Sequence, residues 1–346
     1  MFRGTAPALT LGRYPTPVQR IASLSNSESE LWVKRDDLTH DVYGGNKVRK
    51  LEHLLADARA HGATRIVTVG AAGSHHVLAA AYFGPRAGLA VEAVLVPQPP
   101  TPHALDVLRA DVAMGLRAFP VGSWAAAPLA AVCRIARGAH FVTVGGSSVT
   151  GSMGYVAAAR ELALQIRDGA MPEPEVCVVA LGSGGTAAGL AAGFEAEGLQ
   201  TRVVGVCVST PRWLIRVLSL SLARACARRA GVPSERAGIA SMRWRLTMDS
   251  RFLGGGYGHP TPEGEEATRT ARSAAGLLLD PTYTAKAFAS ALWHVRARRA
   301  HSVLYWHTLS SAPMAPLLQG APEKDALAPS LRRLLRDRAD GAVSSH

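Results

Sequence analysis

Lys47 is the residue whose type and setting most plainly invite chemistry. It lies in Gly44-Gly45-Asn46-Lys47-Val48-Arg49-Lys50, just ahead of the helical pattern Leu51-Glu52-His53-Leu54-Leu55. Two glycines let a backbone turn sharply and approach a ligand closely. The lysine that follows then stands at the mouth of a helix. A lysine there, partly desolvated and beside other cations, has a depressed pKa and acts as a nucleophile on carbonyl carbon. A surface lysine in a basic turn would carry the same heptapeptide, so other stretches must decide.

The second such stretch is Gly182-Ser183-Gly184-Gly185-Thr186, between the apolar run Val176-Cys177-Val178-Val179-Ala180 and a helical pattern from Ala187 to Ala196. A strand–glycine–helix turn aims several N–H groups and a positive helix end at one point, which suits a phosphate dianion. No Gly-Lys-Ser/Thr ends it, as a nucleotide P-loop requires. The next strand closes on Val206-Cys207-Val208-Ser209, without the acid a dinucleotide ribose would meet. A phosphate held without ribose contacts, in a chain with a candidate Schiff-base lysine, points to pyridoxal 5'-phosphate as cofactor.

Positioning these turns requires strands that alternate with helices. Strands are expected at Leu31 to Lys34, Ile66 to Val69, Val91 to Val96, Arg117 to Val121, Phe141 to Val144, Val176 to Ala180, Arg202 to Val208 and Ser302 to Trp306. Helices are expected at Leu51 to Ala60, Ser74 to Arg86, His103 to Met114, Ala125 to Ala136, Gly151 to Arg167, Ala187 to Ala196, Trp213 to Ala230 and Pro262 to Ala275, with an arginine-rich helix closing the chain. Leu11 to Gln19 reads as an extended, proline-pinned opening. Continuous Val-rich strands separated by helices imply parallel sheets covered on both faces. The fold class is therefore α/β, with two open, twisted, mostly parallel sheets. The two domains expected are 1–50 with 158–346, and 51–157, with the cofactor in the cleft between them.

Length and composition agree. The 346 residues are 48% hydrophobic and 18% charged, enough for a sizeable core. No apolar run approaches the ~20 residues that cross a bilayer, and Met1 to Ala6 lacks the pattern of a signal peptide. No membrane association and a cytoplasmic setting are the expectation. Cys133, Cys177, Cys207 and Cys226 have neither metal-ligand nor redox spacing, so no metal is expected. The net charge of +12 raises nucleic acid as a partner. Its arginines, such as Arg224, Arg228, Arg229, Arg332, Arg333, Arg336 and Arg338, are interleaved with Ala and Leu and lack an aromatic platform. Solvated helix faces account for them, and nucleic acid is not expected.

The chain resembles the fold-type II pyridoxal-phosphate enzymes of the tryptophan synthase β-like superfamily. Within them it is similar to the 1-aminocyclopropane-1-carboxylate deaminase / D-cysteine desulfhydrase family. The matching pieces run in family order from about residue 11 to 315. They are Pro15-Thr16-Pro17, Lys34-Arg35-Asp36-Asp37, Gly44 to Leu51, Thr68-Val69-Gly70, Val144-Gly145-Gly146-Ser147, Gly182 to Leu190, Gly256-Tyr257-Gly258, Asp280-Pro281-Thr282-Tyr283-Thr284 and Tyr305-Trp306-His307-Thr308. The resemblance implies that Lys47 is the Schiff-base lysine and moves the α-proton. It also implies that Asn46, Lys50, Gly182, Ser183, Gly184, Gly185 and Thr186 hold the cofactor, its phosphate above all. Tyr283 would stack near it, and Thr284 would contact its pyridine nitrogen. Ser74, His75, His76, Tyr257 and Thr308 would face a small amino acid, Ser74 through its carboxylate and Tyr257 as an acid/base or positioning group. A homodimer is the common assembly.

A carboxylate at the ring nitrogen makes a strong electron sink and a neutral hydroxyl a weaker one. The ring-opening deaminases carry Glu there and the desulfhydrase-like members Thr. Thr284 thus favours β-elimination from D-cysteine or a related β-substituted amino acid, giving a 2-oxo acid, ammonia and the leaving group. Ring opening, β-replacement in a specialised pathway and a low-activity cofactor-binding paralogue remain as alternatives. Two departures touch the site. Gly73-Ser74-His75-His76 stands where the family has Gln-Ser-Asn-His or Gln-Ser-Asn-Gln, so His75 replaces the asparagine at the cofactor's 3′-oxygen and Gly73 is expected to enlarge the substrate pocket. Leu309-Ser310-Ser311 replaces paired glycines after Thr308 and is expected to reshape the wall near the ring.

Overall fold

The computed structural model describes residues 7–335. Its ten strands are β1 (Val18–Arg20), β2 (Glu30–Arg35), β3 (Arg65–Ala71), β4 (Ala90–Val96), β5 (Arg117–Pro120), β6 (His140–Phe141), β7 (Val176–Leu181), β8 (Arg202–Cys207), β9 (Leu246–Asp249) and β10 (Ser302–His307). The helices are α1 (Asn46–Ala60), α2 (His75–Arg86), α3 (Pro102–Ala113), α4 (Ala127–Ile135), α5 (Val149–Arg167), α6 (Gly185–Glu197), α7 (Arg212–Arg229), α8 (Ile239–Arg245), α9 (Pro262–Ala275), α10 (Thr284–Arg296) and a last turn, α11 (Pro329–Arg332).

The chain divides into two compact units. The larger comprises Thr10–Lys50 and Ser147–Ala312. Its six-stranded sheet has the order β1-β2-β10-β7-β8-β9, parallel except where β1 lies antiparallel to β2. Alternation along the strands serves two cores at once. Cys177, Val179, Leu181, Leu304 and Trp306 point to one face, packed with α5, α6 and α7 residues such as Leu162, Leu190 and Ala223. Val176, Val178, Val303 and Tyr305 point to the other, with Ala267 of α9 and Phe288 of α10. Burial on both faces is why these strands read as unbroken apolar runs.

The smaller unit comprises Leu51–Gly146 and residues 7–9 and 313–335. Its sheet has the order β5-β4-β3-β6, all parallel. Thr101 caps α3 by accepting from the N–H of Ala104, with Pro102 in the first turn; Thr261 and Pro262 do the same for α9 in the larger unit.

Several expectations need adjustment. The division drawn at 157 falls instead after Gly146, so α5 lies whole in the larger unit. Residues 313–335 group with the smaller unit, where Gln98 N–H bonds to Leu334 O (3.0 Å) and Arg109 to Pro322 O (2.8 Å) and Glu323 (2.7 Å). The strand expected to reach Val144 stops at Phe141, because Gly145 and Gly146 turn the chain at positive φ. Strand β1 overlaps the end of the stretch read only as extended and runs one residue past it. Helices α8 and α10 and strand β9 were not foreseen. The closing arginine helix is reduced to α11, and Arg336 and Arg338 lie outside the described residues.

In the smaller unit Asp111 of α3 is fully buried, and neither carboxylate oxygen has a hydrogen-bond partner among the described residues. Burial drives its pKa well above the usual carboxylate range. The folded chain therefore keeps a proton that the unfolded chain loses near pH 4, and stability falls as pH rises beyond that point. Asp111→Asn, which cannot ionise, is expected to unfold at higher denaturant than the parent near pH 8, with the two converging near pH 4. Equal midpoints at both pH values would refute this.

Candidate active site

The lysine turn is built from the end of β2 upward. Gly45 has φ +91°, and a Cβ there would lie 2.5 Å from Thr308 O, so only glycine fits. The N–H of Gly45 bonds to Asp36 O (2.8 Å) and that of Asn46 to Thr308 O (3.1 Å). Asn46, Lys47 and Lys50 thus leave the first turn of α1 in a fixed direction. Thr308 contributes its backbone carbonyl to this turn. Ser310 Oγ accepts from Gly44 N–H (2.9 Å), and Ser311 Oγ donates to Asp37. The Leu309-Ser310-Ser311 departure therefore braces the lysine turn, where a reshaped wall near the ring had been expected.

Beneath the turn lies a buried ionic network. Asp36, wholly buried, accepts from Arg49 Nε (3.0 Å) and NH2 (2.8 Å), Thr16 Oγ1 (3.0 Å), Tyr155 OH (2.7 Å) and Trp306 Nε1 (2.7 Å). Glu161 accepts from Arg49 NH1 (2.9 Å) and from Lys34 Nζ (2.5 Å). Burial pushes Asp36 up, but the adjacent Arg49 guanidinium and its hydrogen bonds outweigh that and hold the carboxyl below its usual range. Arg49 sits between Lys47 and Lys50 on α1, so the network sets the register of both lysines.

Lys47 is part-buried, and desolvation pushes its ammonium down to about 8 against the opposing Asp280 carboxylate. About a tenth of it is then free amine at pH 7, against less than about a thousandth for an ordinary lysine. Lys50 is fully buried; burial first, and then the charge of Lys47, lower it well below the normal value. A Cβ on Gly185 would lie 2.9 Å from Lys50 Nζ and 2.6 Å from Ser147 Oγ, so the amine and the hydroxyl crowd the start of α6. Gly184 caps that helix at φ 90° and supplies no side-chain acceptor. Ser147 and Ser183 share a 2.7 Å hydrogen bond, and Asn46 Nδ2 donates to Thr186 Oγ1 (3.1 Å). A buried lysine, a helix N-terminus whose first N–H donates to Ser147 Oγ (3.1 Å), and three hydroxyls make a donor-rich cradle, which a phosphate dianion fits. Ser147 went unassigned in sequence, although its Val144-Gly145-Gly146-Ser147 run was noted.

Beside the glycine loop, a Cβ on Gly182 would lie 3.1 Å from the Tyr283 ring. Tyr283 OH donates to Tyr257 OH (3.0 Å), with the rings edge to face at 5.6 Å. Burial raises both phenols, so both hold their protons at neutral pH. Thr284 opens α10 and is held by Asp280, a second residue to which the sequence assigned no role. Asp280 Oδ1 accepts from Thr284 N–H (3.0 Å) and Oγ1 (2.6 Å), and Oδ2 from the N–H groups of Thr282 (3.0 Å) and Tyr283 (2.8 Å).

The remaining candidates belong to the smaller unit. Ser74 caps α2, accepting from Val77 N–H at 3.5 Å. His75 Nε2 lies 3.0 Å from His103 Nε2, so the two rings share a proton. His76 is buried and bonded to Thr68 Oγ1 (3.1 Å); its ring belongs to the interior of that unit, not to a substrate surface. Gly73 does not enlarge a pocket. Its N–H bonds to Gln98 Oε1 (3.0 Å), and a Cβ would lie 2.7 Å from Gln98 Nε2 and 2.8 Å from Ala104. The space of the absent side chain is filled by another amide.

A family profile described as pyridoxal-phosphate dependent enzyme matches residues 9–308. The chain is 32% identical over 316 residues to a D-cysteine desulfhydrase of Salmonella schwarzengrund, covering 87% of this chain and 93% of that one. It is 33% identical over 320 residues to the D-cysteine desulfhydrase of Salmonella paratyphi A, with the same coverage. Among solved structures, an ACC deaminase homologue superposes with a TM-score of 0.76 at 29% identity, over 90% of this chain and 96% of that one. A fungal L-serine ammonia-lyase from Rhizomucor miehei shares the fold, with a TM-score of 0.61 at 16% identity over 88% and 97%.

Proposed function

The chain belongs to the family of pyridoxal-phosphate dependent enzymes, and from that membership we propose a lyase that eliminates the β-substituent of a small amino acid, D-cysteine or a close relative. The observation that carries this is the pairing of Lys47, lowered to about 8, with the cradle of Lys50 and the α6 N-terminus. When bound, the cofactor supplies the electron sink that makes an α-proton acidic. The protein supplies the rest. Lys50, Ser147, Ser183, Thr186 and the N–H groups of the glycine loop hold the phosphate, and Asn46 steadies Thr186. Lys47 would hold the cofactor and, with an amine lowered to about 8, would take the α-proton as the bond to the β-substituent breaks. Tyr283 backs the cofactor, Thr284 meets its ring nitrogen, and Tyr257, protonated and bonded to Tyr283, positions or protonates the departing group. Ser74 and the N-terminus of α2 receive the substrate carboxylate, and His75 takes the place of the usual asparagine.

The reading includes a homodimer and a cytoplasmic setting. No described helix is long and apolar enough to cross a membrane. The exposed stripe Trp213, Leu214, Val217 and Leu218 on α7 supports self-association, which sedimentation would read as twice the chain mass. The deciding assay supplies D-cysteine, L-cysteine, 1-aminocyclopropane-1-carboxylate and other β-substituted amino acids to cofactor-loaded protein. Pyruvate and sulfide from D-cysteine are expected; 2-oxobutyrate from the cyclopropane substrate alone, or no product from any of them, would overturn the reading.

The free amine of Lys47 makes a further prediction. Cofactor-free protein is expected to capture pyridoxal phosphate faster as pH rises, with an inflection at about 8. Stopped-flow absorbance reads this, and a rate that still climbs steeply past pH 10 would show an ordinary lysine.

A further inference from the structure

The hydroxyl of Thr284 has one proton and two lone pairs, and most of them are already committed. Its proton goes to Asp280 Oδ1 at 2.6 Å, and one lone pair accepts from the Asp280 N–H at 2.7 Å. Asp280 has no slack of its own, because each carboxylate oxygen already accepts two donors. Both side chains are buried, Thr284 at 1% exposure and Asp280 at 9%, so no solvent competes for these bonds. Turning the Thr284 hydroxyl around would strip a charge-assisted bond from a buried carboxylate and place two acceptors face to face. One lone pair is what Thr284 has left to offer.

We propose that Asp280 is a positioning residue that turns Thr284 into an acceptor-only group, so that the cofactor's ring nitrogen carries a proton when bound here. This rests on the proposed role of Thr284 as the ring-nitrogen contact. It changes the electronic expectation drawn from residue type, since a threonine backed by a carboxylate holds a pyridinium, whereas an isolated hydroxyl serves a neutral pyridine equally well. The balance is one proton taken up by the complex. The ring nitrogen would take up one proton from solvent on binding and donate it to Thr284 Oγ1, while Thr284 keeps its own proton on the bond to Asp280. The chain thereby has a stronger electron sink than its threonine alone suggests, without a carboxylate touching the ring.

The test is the nitrogen-15 resonance of ring-labelled pyridoxal phosphate bound to the full chain, at a pH where the free cofactor's ring nitrogen is unprotonated. The parent protein is expected to show the pyridinium shift. Thr284→Ser, which keeps the hydroxyl, is expected to retain it. Thr284→Val, similar in shape and without an acceptor, is expected to move to the unprotonated shift while the bound-cofactor absorbance persists. A merely structural role for Asp280 and Thr284 would leave the resonance where it is. A parent protein that holds the cofactor but shows the unprotonated shift, or a Thr284→Val protein that keeps the pyridinium shift, would overturn the inference while leaving the proposed reaction standing. Failure of the parent to retain any cofactor would overturn the site reading and this inference together.

Discussion

Lys47→Ala protein is expected to turn over D-cysteine, the proposed substrate, at least about 10⁴-fold more slowly than the parent, because attachment and proton transfer would both depend on the missing amine. The effect falls on kcat far more than on KM, because Lys50, the α6 N-terminus and the Ser147–Ser183 pair are untouched. The variant is expected to fold normally, since Lys47 takes no part in the Asp36–Arg49–Glu161 network and deleting it removes a buried cation next to Lys50. Loss of that neighbour also relieves part of the depression of Lys50, which makes the cradle more cationic and compensates for cofactor retention. Equilibrium dialysis should therefore find cofactor bound non-covalently, with the lysine-linked absorbance gone. Turnover within tenfold of the parent would remove Lys47 from the mechanism.

The largest stability effect is expected at Arg49. Arg49→Met keeps the length and apolar stem but leaves Asp36 buried with Lys34 as its nearest remaining cation, and breaking a buried ion pair from one side costs about 3–5 kcal/mol. The sign with pH is specific. In the parent, Asp36 is held below its ordinary pKa, so it contributes stability above about pH 4 and loses that contribution as pH falls through the folded value. In the variant, burial dominates and Asp36 shifts upward, so the charged form is the costly one. The stability gap between the two proteins should be widest near neutral pH and close below about pH 4. Urea unfolding across that range measures it, and Asp36→Asn in the Arg49→Met background should recover part of the loss if the two residues act as a pair. A gap that does not change with pH would mean that the loss comes from packing alone.

The parts of the site legible in sequence were those whose residue types announce themselves beside turn-forming residues. Lys47 follows two glycines, and Gly182 to Thr186 joins a buried strand to a helix. Both lie where they were expected, with the lysine desolvated and the loop at a helix start. The network beneath them was not legible. Lys34-Arg35-Asp36-Asp37 was noted as a run, but Arg49, Glu161 and Trp306 become partners of it only through folding. Ser147 and Asp280 were quoted inside motifs without a role for the same reason. At Gly73 an absent side chain was read as space, and Gln98, 25 residues on, fills it. Helix α10 went unread in the sequence, although Ala285 through Leu292 are all buried in the fold. The unit boundary at Gly146 has no compositional signal. The return of residues 313–335 to the smaller unit depends on backbone bonds at Gln98 that no periodicity encodes.

Asp36 also has a bearing on how the protein is made. Its donors come from residues 13, 119 and 270 positions away in sequence, at Arg49, Tyr155 and Trp306. During synthesis the lysine turn leaves the ribosome well over 200 residues before the strand that carries Trp306 and the Thr308 carbonyl that seats Asn46. Until then the turn has its glycines but not its anchors, and the long loops that must close make this a late event. A nascent chain halted before β10 would be unable to capture the cofactor, however much of the glycine loop and α6 had already formed. Competence to bind pyridoxal phosphate would then appear abruptly once β10 and Thr308 emerge, so cofactor capture would report that the larger unit is complete.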